Sequence, residues 1–339
     1  MKYHVLNDYR KVYRYGDGIR GMGRDLLALL RLSMKDAIRT DHESEHGMTK
    51  LTFSVLPGLT ERWIHFHRGI DKDVNIVIGN CSGEKDPFAD DRIMVYNILN
   101  IHHGEKIDLF LKKIIASPIV ILSDDDVYIR SKQVYAVVED LFSKNGNLAA
   151  VSLLPRKEKA EFIKRDVDIL MGSHCLALRR DIVLESGVSF AMRSANENKK
   201  ADWFYDTGDY LQLRLQRAGF EIDCKTFLHS EDIVALDGMS TWLLEMRATR
   251  GDIGPRIRVH AEKRAGKAYR TALAAKYLNG VRGEGVMRDE IIPEPFIERA
   301  IEVSREFLDE EHAEKIERER GRIVARLTGG DGDSAVRIP

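Results

Sequence analysis

Pro118-Ile-Val-Ile-Leu122-Ser123-Asp124-Asp125-Asp126-Val-Tyr128 is an apolar run that stops on three consecutive carboxylates. The aliphatic stretch is the length of a buried strand and too short for a bilayer span. In an open α/β sheet, ligands bind beyond the carboxyl ends of the strands. A strand that delivers three acids to its end therefore marks a site as well as a fold. Adjacent carboxylates raise one another's pKa unless a cation neutralises them. A hard divalent ion, Mn²⁺ or Mg²⁺, would do so and would also grip a diphosphate. Residues i and i+2 of a strand point the same way, so Asp124 and Asp126 are expected to converge on one ligand. A solvated acidic turn is the plainer alternative.

Outward from this segment, strand-like and helical stretches alternate. Upstream, Leu51–Leu56 reads as a strand ending at Pro57-Gly58, and Val74–Gly79 as a second ending at Asn80-Cys81-Ser82-Gly83. The stretches 93–99 and 107–115 read as helices. Downstream, 134–142 reads as a helix and Leu148–Leu154 as a strand. This rhythm implies βαβ units, a largely parallel sheet and an α/β fold spanning about residues 50–245. An N-terminal extension, 1–49, carries one expected helix at 24–39. Beyond 246 come a basic run, 247–270, and a Glu- and Arg-rich helix expected over 296–327.

The order of these parts resembles the glycosyltransferases of the GT-A fold, a Rossmann-like family that binds nucleotide-diphosphate sugars, over roughly residues 50 to 240. The triplet resembles that family's D-x-D motif. By that resemblance Asp126 is the metal ligand, Asp124 contacts the donor's ribose or sugar, and Asp125 supports them. Pro57 and Arg62 stand where the family's nucleotide pocket begins. Asn80 and Ser82 stand where the base is read, with Asn80 replacing the commoner Asp. An amide still hydrogen-bonds a pyrimidine, and a UDP-sugar is the favoured donor. Lys106 stands either near the phosphates or on a solvated loop. Gly172, lacking a Cβ, would let the sugar approach closely. His174 could touch the sugar or sit in the core, the core being favoured.

A second anchor is Asp202-Trp-Phe-Tyr-Asp206-Thr-Gly-Asp209-Tyr-Leu211, leading to Arg214-Leu-Gln-Arg-Ala218-Gly219. Gly219 reads as a helix C-terminal stop. The ending matches that of inverting GT-A enzymes, but their Glu-Asp pair is replaced by Asp206-Thr-Gly-Asp209. Inversion needs a carboxylate to deprotonate the acceptor hydroxyl. Asp206 and Asp209 are rival candidates, with Asp209 also suited to a helix cap. By the same resemblance His229 would complete the metal sphere. The stretch 237–242 reads as a loop able to close over the donor, with Trp242 either stacking on a sugar or anchoring the C-terminal part.

Composition limits the remaining options. The 339 residues carry 53 Lys and Arg against 54 Asp and Glu, so net charge indicates no partner. Three dispersed cysteines argue against a disulfide scaffold or a structural zinc site. No apolar leader is visible at the N-terminus, and a cytoplasmic location is expected; the run 247–270 reads either as a contact for an anionic acceptor or a membrane surface or as a solvated helix face with internal counter-charges. That run lacks the aromatic interleaving of a nucleic-acid binder. The implied acceptor is a glycan or a lipid-linked sugar. A nucleotidyltransferase and a non-catalytic nucleotide- or sugar-binding protein of the same fold are the alternatives; the Pro57–Arg62 loop is a poor match to a nucleotidyltransferase's Gly-rich loop.

Overall fold

A computed structural model describes residues 18–34, 47–85, 87–88, 93–157, 169–191, 193–194, 204–205, 207–236, 238–258, 261–282, 286 and 288–328. Its strands are β1 (Met48–Ser54), β2 (Asn75–Asn80), β3 (Ile93–Asn97), β4 (Ile119–Ser123), β5 (Val127–Ile129) and β6 (Leu148–Ser152), then the short β7 (Arg156–Lys157) and β8 (Ile169–Leu170), β9 (Cys175–Arg179), the short β10 (Arg193–Ser194) and β11 (Phe204–Tyr205), β12 (Glu221–Asp223) and β13 (Ile233–Ala235). Seven of them form one sheet in the order β12-β6-β9-β4-β1-β2-β3. Every neighbouring pair is parallel except those of β9, which runs against both β4 and β6. The protein is thus α/β with a mostly parallel, Rossmann-like sheet.

The strand sequences explain the layering. Along β2, Ile76 and Ile78 face one apolar layer while Val77 faces the other. Along β4, Val120 and Leu122 face one layer and Ile121 the opposite one. Burial on both faces is why these strands are near-continuous aliphatic runs. The helices are α1 (Gly18–Met34), α2 (Pro57–Ile70), α3 (His103–Lys113), α4 (Gln133–Lys144), α5 (Arg180–Glu185), α6 (Asp209–Arg217), α7 (Met239–Thr249), α8 (Gly254–Ile257), α9 (Ala261–Asn279), α10 (Glu294–Arg305) and α11 (Glu310–Thr328). Phe110 and Leu111 of α3 and Leu211 and Leu215 of α6 cover one face; Leu59 and Trp63 of α2 lie on the other.

The C-terminal helices are part of that second layer. Ala265, Ala268, Ala272 and Ala275 of α9 pack in one cluster with Leu59, Trp63, Ile76 and Leu243. Two latches hold them there. The buried Arg62 guanidinium donates to the backbone carbonyls of Gly58, Leu278, Arg288 and Asp289. Arg288 in turn pairs with Glu61 and with Glu84. Among the described residues, no helix is long and apolar enough to cross a membrane.

Three elements differ from the sequence expectation. Residues 93–97 are a strand, because Ile93, Val95 and their neighbours pair in register with Ile76–Asn80; an amphipathic edge strand and a short helix look alike in so few residues. The expected helix over 296–327 is two helices. Asp309 breaks it by accepting the His312 N–H at 2.7 Å, an N-cap for α11. The expected loop 237–242 is already helical from Met239, behind Gly238 with φ of 71°.

Candidate functional site

The sheet order reverses direction between β1 and β4, since β2 and β3 lie on one side of β1 and β4 on the other. A crevice at such a switch point, beyond the carboxyl ends of the strands, is where open α/β sheets hold ligands. The triplet lies there. Two adjoining cavities, of about 270 and 230 Å³, share Asp124, Asp126 and Gly238. The first is also lined by Phe53, His103 and Lys106, and by Ser240 and Thr241 from the first turn of α7. The second adds His174 and Lys267.

The three carboxylates occupy three different environments. Asp125 is buried; its Oδ2 accepts from the Thr60 hydroxyl at 2.7 Å, and Ser240 Oγ lies 3.4 Å from Oδ1. Burial, and then the neighbouring Asp126, push its pKa up to about 8, so it is protonated at neutral pH. Asp126 is also buried, and its Oδ2 accepts the Met239 N–H at 2.6 Å, at the N-terminus of α7. The positive end of that helix favours its charge, while burial and the Asp124 charge push its pKa upward. Asp124 is the open one, with 30% of its side chain exposed.

Two histidines flank Asp124. His174 Nδ1 is 2.9 Å from Oδ2, and His103 Nε2 is 3.8 Å from Oδ1. The bond to Asp124 raises the His174 pKa, whereas burial lowers that of His103 to about 4. At neutral pH His103 is thus a neutral imidazole on one side of Asp124, while on the other side that carboxylate raises the proton affinity of His174. Lys106 is anchored by Asn100 Oδ1 at 2.9 Å and lies 5.1 Å from the Phe53 ring centroid.

Several expected site residues do other work. Arg62 is consumed by the four carbonyls of the C-terminal latch and does not reach the crevice. Asn80 and Ser82 satisfy each other: Asn80 Oδ1 accepts from the Ser82 N–H and hydroxyl, and its amide donates to Glu84 O and Asn97 Oδ1. They shape the turn after β2 and have no free edge for a base. Pro57 starts α2, where its missing N–H costs nothing, and lines neither cavity. Gly172, at φ of 63°, lines neither cavity; a Cβ there would lie 3.4 Å from Leu154 O, and its role is the left-handed backbone before β9.

The β5–β13 register places His229 away from the metal role. Val127 opposes Ala235 and Ile129 opposes Ile233, so residue 229 falls beyond the end of β5 remote from Asp126. It is exposed on a turn and lines neither cavity. Asp209 is the first residue of α6, with Gly208 rather than Asp209 at the cap, and it is buried in a two-pronged pair with Arg156 at 3.0 and 3.1 Å. It too lies outside both cavities. Asp206 lies outside the described residues. His174, favoured as a core residue, is instead half exposed against Asp124. Trp242 is buried, with the Arg256 guanidinium 4.6 Å from its ring centroid, and anchors the C-terminal part.

Part of the basic run is spent internally, while Arg250, Arg258 and Lys263 are exposed. Arg256 pairs with Glu245, Arg264 donates to Arg256 O at 3.0 Å, and Arg270 faces Glu319 at 3.9 Å. Lys267 is the member that reaches the crevice. Thr60, Ser240 and Lys267 carried no recognisable signal, because each comes from an element whose approach depends on tertiary packing.

No known family model matches the sequence, and no curated protein matches it. Among solved structures the chain is similar to 4-diphosphocytidyl-2C-methyl-D-erythritol synthase from Anaerococcus prevotii DSM 20548. The identity is 13% and the TM-score 0.35, over 52% of this chain and 86% of that one. A likeness at that level bears on neither substrate nor chemistry.

Proposed function

We propose that the crevice binds a nucleotide diphosphate sugar with a divalent cation and that the protein is a glycosyltransferase. The observation that carries this reading is the pair Asp124 and Asp126, which share both cavities at the switch point of the sheet with Lys106 on one side and Lys267 on the other. Two carboxylates beside two ammonium groups suit a ligand that is itself a metal-bridged polyanion.

The donor set fits Mg²⁺ or Mn²⁺. Among the described residues no group of three or more ligating side chains is preassembled. A nucleotide-bound Mg²⁺ asks for only one or two carboxylates, because phosphate oxygens and water supply the rest. Asp126 and Asp124 would hold it, and the repulsion between their neighbouring charges is what a cation relieves. The ion would neutralise the diphosphate as it leaves. The chain's own residues do the rest. Asp125, tied to Thr60, fixes the turn; Phe53 forms an apolar floor; the lysines oppose phosphate charge. Asp209 is held by Arg156, which leaves Asp206 as the proposed base for an acceptor hydroxyl. The acceptor would be a glycan or lipid-linked sugar.

Titration of UDP, GDP, CDP and dTDP with and without Mn²⁺, on wild type and Asp126→Ala, tests the reading. One nucleotide should bind, need the metal, and fail with the variant. A folded protein that binds none of them refutes it.

A further inference from the structure

A separate and larger cavity lies between α2, α9 and the end of α11. Its volume is about 650 Å³, within the range of pockets that hold small molecules. Phe66, Ile70, Tyr277, Val281 and Leu327 make its walls apolar. It runs along α2 from Arg62 to Ile70, about 12 Å at the helical rise.

The end near Arg62 is polar. Tyr128 forms part of the lining there and is 1% exposed. Its ring is fixed against Phe66, centroids 5.2 Å apart, and stacked with His67 at 6.2 Å. Its hydroxyl is buried without a hydrogen-bond partner among the described residues. A buried hydroxyl left unpaired is costly, and such groups normally mark an unseen partner. Arg62 has both Arg282 and Tyr128 as electrostatic neighbours, and Tyr128 also feels Asp125 and Asp126 of the acidic turn. Arg282 is engaged by the backbone carbonyls of Asn279 and Asp289, which leave its charge in place. Lys276 also lines the cavity, and no carboxylate does.

We propose that this cavity is a binding site for an amphipathic anion: a single aliphatic chain of about eight to ten carbons, sized to the helical span, with a carboxylate or phosphate head. The head accepts a hydrogen bond from Tyr128 and faces Arg282. The chain lies along Phe66, Ile70 and Leu327. Nothing in this assignment rests on the transferase reading, since the acidic crevice shares none of these residues.

Gly69 supplies a clean test. It is helical, lines the cavity, and a Cβ built on it meets nothing within 4 Å. Gly69→Leu should fill the cavity without disturbing the fold, since leucine is the better helix former. Decanoate and decyl phosphate are titrated calorimetrically into wild type, Gly69→Leu and Tyr128→Phe, with a thermal melt of each. Saturable binding of either probe is expected, weakened at least tenfold by Gly69→Leu. Tyr128→Phe should weaken it about fivefold, the loss of one hydrogen bond. The probe that binds names the head group. Absence of saturable binding to both probes overturns the proposal. So does wild-type affinity in a folded Gly69→Leu. If Gly69→Leu melts early, wild-type affinity in Tyr128→Phe is the overturning result.

Discussion

Gly79→Ala tests whether the strand packing behind the acidic crevice sets its shape. Gly79 lies in β2 beside Phe53 of β1. A Cβ at that position would stand 2.4 Å from Phe53 Cδ1, 2.6 Å from Cε1 and 3.0 Å from Phe110 Cζ. Carbon atoms pack at about 3.5–4.0 Å, so the Phe53 ring must move by roughly 1 Å. Phe110 blocks one direction, edge-on at 5.1 Å, and His103 stands at 5.5 Å beside the crevice that Phe53 lines. The ring is therefore driven toward the crevice. Overpacking of this kind costs about 1–3 kcal/mol, offset in part by the roughly 0.5–1 kcal/mol that alanine gains over glycine in a strand. Urea melts should show a net loss of about 1–2 kcal/mol. Phe53→Leu alone should also destabilise, by leaving space unfilled. Combined, the two substitutions should cost at least 1 kcal/mol less than their sum, because the smaller side chain makes room for the methyl group. Additivity within about 0.5 kcal/mol would refute the claim that these two residues compete for one volume.

Three further outcomes follow from groups outside the crevice. Arg62→Met should lower stability by about 3 kcal/mol or more in a urea melt, through the loss of charge-assisted bonds to four carbonyls; a direct donor role would instead weaken nucleotide binding at unchanged stability. His67 is buried and neutral, with Nδ1 near Trp63 O and Nε2 accepting the Ile129 N–H, and burial lowers its pKa well below 6.5. The unfolded chain takes up that proton below pH 6.5 and the fold does not, so His67 costs stability as pH falls, by about 1.4 kcal/mol per unit. Asp125 acts in the opposite sense between its unfolded pKa near 3.8 and about 8, so the absolute curve is not diagnostic. The difference between His67→Gln and wild type should shift toward the variant by that slope on acidification, and a flat difference refutes the assignment. Tyr128→Phe should raise the urea midpoint of the ligand-free protein, corresponding to about 1–2 kcal/mol, by removing a buried hydroxyl without a partner.

What the sequence disclosed and what it hid divide along a physical line. The strands β2, β4 and β6 are legible because burial on both faces forces runs of aliphatic and small residues. The end of α6 is legible because Gly219, at φ of 90°, takes a conformation other residues avoid. The reversed direction of β9 is hidden, since Cys175–Arg179 has the same composition whichever way it runs. The helices after 245 look like a separate charged zone because α9 buries alanines, which leave no strong apolar stripe. The roles of the cations are hidden for one reason. A sequence shows where Arg62 and Arg256 are, but not that backbone carbonyls and Glu245 already occupy them.

The same distinction explains why three consecutive acids can stand at one strand end. Were all three ionised in so buried a turn, repulsion and desolvation would oppose folding. The structure separates them by surroundings. Asp125 is turned inward to Thr60 and Ser240 and kept protonated, so it carries no charge and holds the turn to α2 and α7. Asp126 is buried in the field of the α7 N-terminus. Asp124 keeps its contact with solvent and with His174. The charge that remains for a ligand therefore sits on the first and third positions, separated by a neutral tie. Asp125 and Asp126 are turn residues, the Val127 N–H closing back on Asp124 O, and the side-chain directions of that turn and the alternation of charge coincide here. That coincidence, rather than the acidity of the run, sets this turn apart from a solvated acidic loop.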